Sequence, residues 1–296
     1  MTRQAALAVG AVLFSVAIWS NFLVTTGGAS GAGLGVIELG VLRAVVCGTI
    51  LFPIAWRVGL YPKGMALWRF LVMVIGAGVS FMFLIPAGFA FAPAADSGVF
   101  APGALPLWVA GLSAIFLGER ISALRAFGFL LIAGGVFAVG GYDALAYGRE
   151  GAWRGYLCFS GGSFLFACYA IAQRGSGLTA LEATALISVW CLPIGAVATL
   201  IWGADFGDVS FPLLAWTALA QFGSGVVAVV TYTYAIIRLG PSRGSAFIAL
   251  TPACVAVAAD VFLGEPATPL VWLGVAVVSA GVLVASGAFE RRAAAA

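Results

Sequence analysis

The chain contains one pattern twice, first from Gly98 to Gly141 and again from Gly244 to Gly287. Adding 146 to a residue number in the first copy gives its counterpart in the second. The matches include Gly98 with Gly244, Pro106 with Pro252, Phe116-Leu117-Gly118-Glu119 with Phe262-Leu263-Gly264-Glu265, Gly128 with Gly274, and Gly135 with Gly281. Each copy predicts two apolar helices joined by a tight Gly-Glu turn, so the sequence indicates a duplicated unit about half a chain long.

The composition places this unit in a membrane. Hydrophobic residues make up 63% of the chain and charged residues 8%, which lies far outside the soluble globular range. Ten apolar runs have about the length of a transmembrane helix. These predicted spans are Ala5–Thr26, Leu34–Trp56, Leu67–Phe91, Ser97–Leu117, Ile121–Gly141, Gly155–Gln173, Leu181–Trp202, Leu213–Ile237, Arg243–Leu263 and Pro269–Ala288. The sequence therefore predicts an all-α integral membrane protein.

Five predicted helices per half is an odd number, so the two copies enter the membrane from opposite sides. The expected fold is thus two inverted five-helix repeats, residues 1–148 and 149–296, around a central cavity. Basic residues fix the orientation, because cytoplasmic loops carry an excess of Lys and Arg. With a cytoplasmic N-terminus the outer loops hold only Arg149 and Arg154. The inner loops then hold Arg3, Arg57, Lys63, Arg69, Arg120, Arg125, Arg174, Arg238, Arg243, Arg291 and Arg292, so both termini are predicted to be cytoplasmic.

Several function classes are disfavoured by residues that the chain lacks. There is no histidine, which removes the commonest general base and metal ligand. The five cysteines lie inside apolar runs and suggest no metal site, and we expect no cofactor. The scattered basic residues do not resemble a nucleic-acid surface, and no phosphate-binding loop indicates ATP. An intramembrane enzyme would need a clustered nucleophile and base, whereas a non-transporting receptor or scaffold stays an alternative.

Charged residues inside the predicted spans are candidates for function, because charge in a membrane is costly. Arg43 lies within the second span, where Glu38 or Asp96 could neutralise it as an ion pair. Binding of a substrate carboxylate is the alternative. Asp260 either reaches the outer surface or serves as a protonatable coupling group.

A second set of candidates consists of aromatic and polar side chains in the predicted spans. Gln221, Ser224, Ala228 and Thr231 recur at helical spacing and predict a polar stripe that walls a cavity. The paired prolines Pro106 and Pro252 suggest matching hinges in the two halves. The predicted substrate-binding residues are Trp19, Asn21, Phe83, Phe166, Tyr169, Gln221, Tyr232 and Ser245.

The sequence resembles the EamA type of the drug/metabolite transporter superfamily. Trp19-Ser20-Asn21-Phe22 resembles its W-[GS]-x-N-F element, and Arg43 resembles the arginine of its second helix. Residues 234–240, with the sequence YAIIRLG, resemble its Y-A-L-x-x-L-G run, and the doubled F-L-G-E at 116–119 and 262–265 is similar to its repeated signature. The resemblance implies ten helices in inverted repeats, with a cavity built mainly by helices one, three, four, six, eight and nine.

Within that superfamily the chain looks most like bacterial exporters of aromatic and other neutral amino acids, the YddG group. The resemblance implies a multi-pass carrier of the bacterial inner membrane, and we expect it to act as a monomer. Aromatic rings could stack on such a cargo while amide and hydroxyl groups hold its polar ends. Efflux of lipophilic drugs and import of another metabolite are the alternatives. The first span carries no carboxylate, so proton antiport and facilitated export both stay open.

Overall fold

The computed structural model describes residues 3–118, 121–146, 151–207, 209–239 and 247–286, and these residues are helical, without a β-strand. The helices are α1 (Arg3–Gly31), α2 (Val36–Val58), α3 (Leu67–Phe89), α4 (Ala94–Phe116), α5 (Ala123–Ala146), α6 (Ala152–Arg174), α7 (Ala180–Trp202), α8 (Phe211–Phe222, Gly223–Val227 and Ala228–Leu239), α9 (Phe247–Leu263) and α10 (Pro269–Ala285).

Length and hydropathy decide which of these helices could cross a bilayer. In the described part of the chain, seven of them (α1, α2, α3, α4, α6, α7 and α8) are long and apolar enough to do so. The apolar part of α5, together with α9 and α10, is shorter. The all-helical prediction is confirmed for these residues, while the count of ten spans stays a prediction.

Helices α5 and α10 pack against each other through the glycines that the sequence repeats. A Cβ atom on Gly128 would lie 2.8 Å from the carbonyl oxygen of Gly281, and one on Gly135 would lie 3.2 Å from that of Gly274. Since higher numbers on α5 meet lower numbers on α10, the helices are antiparallel. The predicted role of these glycines, close backbone approach, is confirmed.

Other helices pair across the two halves in the same manner. On α2 and α7, a Cβ on Gly48 would lie 2.8 Å from the carbonyl oxygen of Ser188, and one on Gly195 would lie 3.4 Å from Ala44 Cβ, so these helices are also antiparallel. Helix α1 packs against α8 and α9, just as α6 packs against α3 and α4. Each of these pairings is thus matched by its counterpart five helices on. This pattern supports the inverted repeat, which stays a prediction.

The two Gly-Glu turns share one backbone conformation, but the glutamate does not act as expected. Gly118 and Gly264 both end a helix with φ of 65°, a left-handed conformation that favours glycine. The sequence suggests that Glu265 caps the next helix, α10, and this expectation is wrong. Thr268 caps α10, whereas Glu265 Oε2 accepts a hydrogen bond from the backbone N–H of Ala94 (2.8 Å), at the start of α4. Glu119 lies outside the described residues.

This contact also orients α4 and α9. The end of α9 meets the start of α4, so the two helices run antiparallel and their C-terminal ends point in opposite directions.

Pro106 and Pro252 lie in the first turn of the segments 105–117 and 251–263, where the missing N–H of proline costs little. A π-helical segment, Val99–Gly103, precedes Pro106, and a 3₁₀ turn, Phe247–Leu250, precedes Pro252. Each proline therefore follows a break in the regular helix.

Two further π-helical segments occupy matching places in α3 and α8. They are Val74–Leu84 and Gly223–Val227, and both contain a Gly-x-Gly sequence, at Gly76 and at Gly223. π-Helical turns are often found at functional sites, because they change which side chains face a neighbouring helix. These two segments lie beside Arg43 of α2.

Candidate functional site

Arg43 is the centre of a cluster formed by α1, α2, α3 and α8. It lies seven residues after the start of α2 at Val36, about 10 Å along the helix at 1.5 Å per residue. Its Nη1 donates hydrogen bonds to Gln221 Oε1 (2.9 Å) and Ser224 Oγ (3.0 Å), both on α8. Gln221 and Ser224 are buried, so these amide and hydroxyl groups hold the guanidinium at a fixed depth.

Two phenylalanine rings make up the apolar wall of this cluster. The Arg43 Cζ atom lies 5.3 Å from the ring centroid of Phe22 on α1 and 5.2 Å from that of Phe81 on α3. The two centroids are 6.2 Å apart, so the rings form one wall on the same side of the guanidinium. An arginine at the centre of a membrane helix costs about 3 kcal/mol. Each cation–π contact recovers roughly 1 kcal/mol. We call Phe22, Arg43, Phe81, Gln221 and Ser224 the Arg43 cluster.

The predicted ion pair of Arg43 is wrong. No carboxylate oxygen in the described residues lies within 4 Å of its guanidinium nitrogens, and neither proposed partner contacts it. Glu38 Oε1 accepts from the backbone N–H of Asp205 (2.8 Å), in the loop between α7 and α8. Asp96 is buried at the start of α4 and accepts from the Tyr156 hydroxyl (3.0 Å). Acidic side chains therefore support the α7–α8 loop and the α4–α6 contact instead.

Trp19 and Tyr232 extend the cluster along α1 and α8. Trp19 Nε1 donates to the carbonyl oxygen of Ser224 (3.3 Å), and its ring meets that of Tyr232 edge to face at 5.3 Å. Gln221 Nε2 lies 3.5 Å from Thr26 Oγ1, about two helix turns after Trp19 on α1. Three predicted site residues, Trp19, Gln221 and Tyr232, are thus brought together around Arg43.

Phe166 and Tyr169 are joined to the same cluster through a row of rings. Phe81 packs edge to face against Phe166 at 5.4 Å, and Phe166 lies 5.2 Å from Tyr169. Because Phe81 also faces Arg43, the row leads from α6 in the second half to the guanidinium on α2. Aromatic faces of this kind bind apolar or aromatic ligands.

The polar stripe on α8 packs differently from the prediction. It is a buried contact surface rather than an open wall: Gln221 and Ser224 hold Arg43, and Ala228 and Thr231 pack on α1. There Ser15 Oγ lies 3.2 Å from the carbonyl oxygen of Ala228 and 2.7 Å from Thr231 Oγ1. Small and polar residues on α8 therefore serve helix packing as well as the site.

The remaining predicted site residues lie elsewhere. Phe83 lines an apolar groove of about 800 Å³ between α2, α3 and α7, and a second apolar pocket of about 420 Å³ lies between α2 and α7. Asn21 Oδ1 accepts from Thr25 on the same helix (3.4 Å). Asp260 is exposed in the last turn of α9, which favours the surface interpretation over a coupling role. Ser245 lies outside the described residues.

Sequence reasoning named Ser224 only as part of the polar stripe, and it missed Phe22 and Phe81 as members of the site. Phe81 and Phe83 are two positions apart, so they lie on nearly opposite sides of α3, and the sequence alone does not decide which of them faces the site. The π-helical segment Val74–Leu84 shifts the register of α3, so its residues do not follow the usual 100° spacing. The one available signal was the Gly-x-Gly sequence at Gly76 and Gly223, which marks both π segments.

Comparisons with known proteins agree with this architecture. Residues 153–287 match the EamA-like transporter family, and no curated protein matches the sequence. Twenty-six chains of solved structures match. One of them, a crystal structure, is 19% identical and has a TM-score of 0.65 over 97% of this chain and 99% of its own. At that identity the likeness shows the fold alone. The chain is a multi-pass membrane protein whose second half, over residues 153–287, is similar to the EamA-like transporter family.

Proposed function

We propose that the protein is an inner-membrane carrier that exports small metabolites, aromatic and neutral amino acids above all, by alternating access. The observation that carries this proposal is the position of the Arg43 cluster. Its side chains come from α1, α2, α3 and α8, and the row of rings adds α6, so both halves of the chain contribute. A site shared by two halves can open to either side as they move against each other.

The proposal includes ten spans in two inverted repeats, residues 1–148 and 149–296. Antiparallel contacts between α2 and α7 and between α5 and α10 support it, because each pair joins equivalent helices of the two halves. The breaks before Pro106 and Pro252 are where we place the hinges. We further propose a bacterial inner-membrane location, cytoplasmic termini and a monomeric carrier.

The chemistry of the site matches an amino-acid cargo. Trp19, Phe166 and Tyr232 offer rings to an apolar or aromatic side chain. Arg43, Gln221 and Ser224 offer a positive charge and polar groups at one end of the same site. A purely lipophilic drug would leave the remaining N–H groups of Arg43 without an acceptor, and this favours an amphiphilic cargo.

Counterflow in proteoliposomes tests the proposal. Purified protein is reconstituted in vesicles loaded with unlabelled phenylalanine, tryptophan, leucine, methionine or threonine, and uptake of the same labelled amino acid is measured. We expect uptake above that of protein-free vesicles for at least one of them. The absence of counterflow with all five, together with transport of a lipophilic cation, would replace this cargo with drugs.

A further inference from the structure

We infer that Arg43 binds the carboxylate group of the cargo. The inference rests on the proposed transport function and deepens it, because it names the residue and the chemical group that the site selects. Cargo molecules should therefore carry a carboxylate at one end and an apolar or aromatic group at the other.

Arg43 keeps several N–H donors that no group in the described part of the protein uses. A guanidinium carries five N–H groups. Both protein acceptors, Gln221 Oε1 and Ser224 Oγ, are bonded to Nη1. Neither Nε nor Nη2 bonds to an acceptor in the described residues. These two atoms form one edge of the guanidinium, and such an edge matches the two oxygens of a carboxylate.

The described side chains around the guanidinium carry no opposite charge. Phe22 and Phe81 lie on one side of the guanidinium, and Gln221 and Ser224 hold it at Nη1. These neighbours are neutral, so the positive charge is not compensated by the described part of the protein. In a site of low polarity, an uncompensated cation attracts an anion much more strongly than it would in water.

The equivalent place in the other half of the chain carries no charge among its described residues. On α8, Gly225 faces Cys47 and Arg43 of α2: a Cβ on this glycine would lie 3.2 Å from Cys47 Sγ and 3.6 Å from Arg43 Nη2. On α3, Gly78 faces α7 in the same way, and a Cβ there would lie 2.8 Å from Cys191 Sγ and 3.0 Å from Ile187 Cγ2.

The two places thus share a glycine and a cysteine, but one has Arg43 where the other has Ile187. In both helices this residue precedes the cysteine by four positions. Ile187 packs at its place without a charge. The packing of the helices therefore does not require an arginine at position 43. The charge is present in only one half, which gives the site one polar end and orients an asymmetric cargo.

Binding by matched acids and amides tests the inference. Thermal unfolding of the detergent-solubilised protein is followed while phenylalanine or phenylalaninamide, and 3-phenylpropionate or 3-phenylpropionamide, is added. The acid of each pair should bind about tenfold or more tightly than its amide, because only the acid pairs with the guanidinium edge. In Arg43→Gln the ratio should fall to about one. Arg57→Gln, at the exposed inner end of the same helix, should keep the wild-type ratio.

The variants and outcomes separate this inference from the proposed function. Arg43→Lys keeps the charge without the planar edge and should give an intermediate ratio, which guards against a misfolded Arg43→Gln protein. Acid-selective binding without counterflow would keep the carboxylate site and remove amino-acid transport. Counterflow of phenylalanine with equal binding of acid and amide would keep transport and overturn the role of Arg43. Failure of every carboxylate to stabilise the protein would also overturn it.

Discussion

The carbonyl oxygen of Gly128 lies 2.7 Å from the position that a Cβ atom on Gly281 would occupy. Gly281→Ala should therefore force α5 and α10 apart and destabilise the protein by roughly 1–3 kcal/mol, as overpacking does in well-packed interiors. The measurement is the unfolding temperature of the purified protein in detergent.

Gly134→Ala, on the partner helix α5, is the matched control. No atom lies within 4 Å of a Cβ at this position, so the added methyl group meets no neighbour. Its unfolding temperature should equal that of the wild type or rise slightly, because alanine favours the helix. If both variants unfold at the same temperature, α5 and α10 do not pack through these glycines.

The hydrogen bond between Glu265 and Ala94 gives a second stability prediction. Glu265→Ala removes the acceptor for the first N–H of α4 and should cost about 1 kcal/mol, the usual value for a lost helix cap. Glu265→Gln keeps a carbonyl oxygen at the same distance and should lose less. Thermal unfolding of both variants checks the order. Equal losses would indicate that the negative charge, and not the hydrogen bond, stabilises this end of α4.

These two contacts show how far sequence reasoning reached. The repeated glycines predicted close approach of helices, and α5 and α10 confirm it. The glutamate was recognised as a capping residue, but its partner, Ala94, lies 171 positions away, and no local pattern indicates so distant a neighbour. The same limit applies to Arg43: its position inside a span marked it as a candidate, whereas its partners Gln221 and Ser224 depend on how α2 and α8 cross.

The register of α3 could not be predicted for a different reason. Helical periodicity assumes a constant rotation per residue, and the π-helical segment Val74–Leu84 breaks this assumption. Phe83 is a predicted site residue, whereas Phe81 contacts Arg43 in the structure. Such segments depend on close packing by the glycines they contain: a Cβ on Gly76 would lie 2.5 Å from the carbonyl oxygen of Leu165 on α6.

Labelling of single cysteines tests the proposed orientation in the membrane. The native cysteines are first replaced, and Ser210→Cys before α8 or Lys63→Cys between α2 and α3 is introduced; both positions are exposed. A thiol reagent that cannot cross the membrane should label Ser210→Cys in intact spheroplasts and Lys63→Cys only after permeabilisation. The reverse result would invert the orientation, and labelling of both from outside would contradict the count of spans between them.

Gln221→Glu tests the Arg43 cluster by separating stability from transport. The substitution keeps the shape of the side chain but places a carboxylate oxygen beside Arg43 Nη1, at the 2.9 Å now spanned by the amide oxygen. The new charge pair should raise the unfolding temperature, because a charge-assisted hydrogen bond is stronger than a neutral one. It should also weaken carboxylate binding and counterflow by about tenfold or more, since the guanidinium charge is then neutralised.

Gln221→Met, which removes the acceptor without adding charge, should lower the unfolding temperature. A stabilised Gln221→Glu protein with normal counterflow would mean that cargo does not depend on the charge of Arg43.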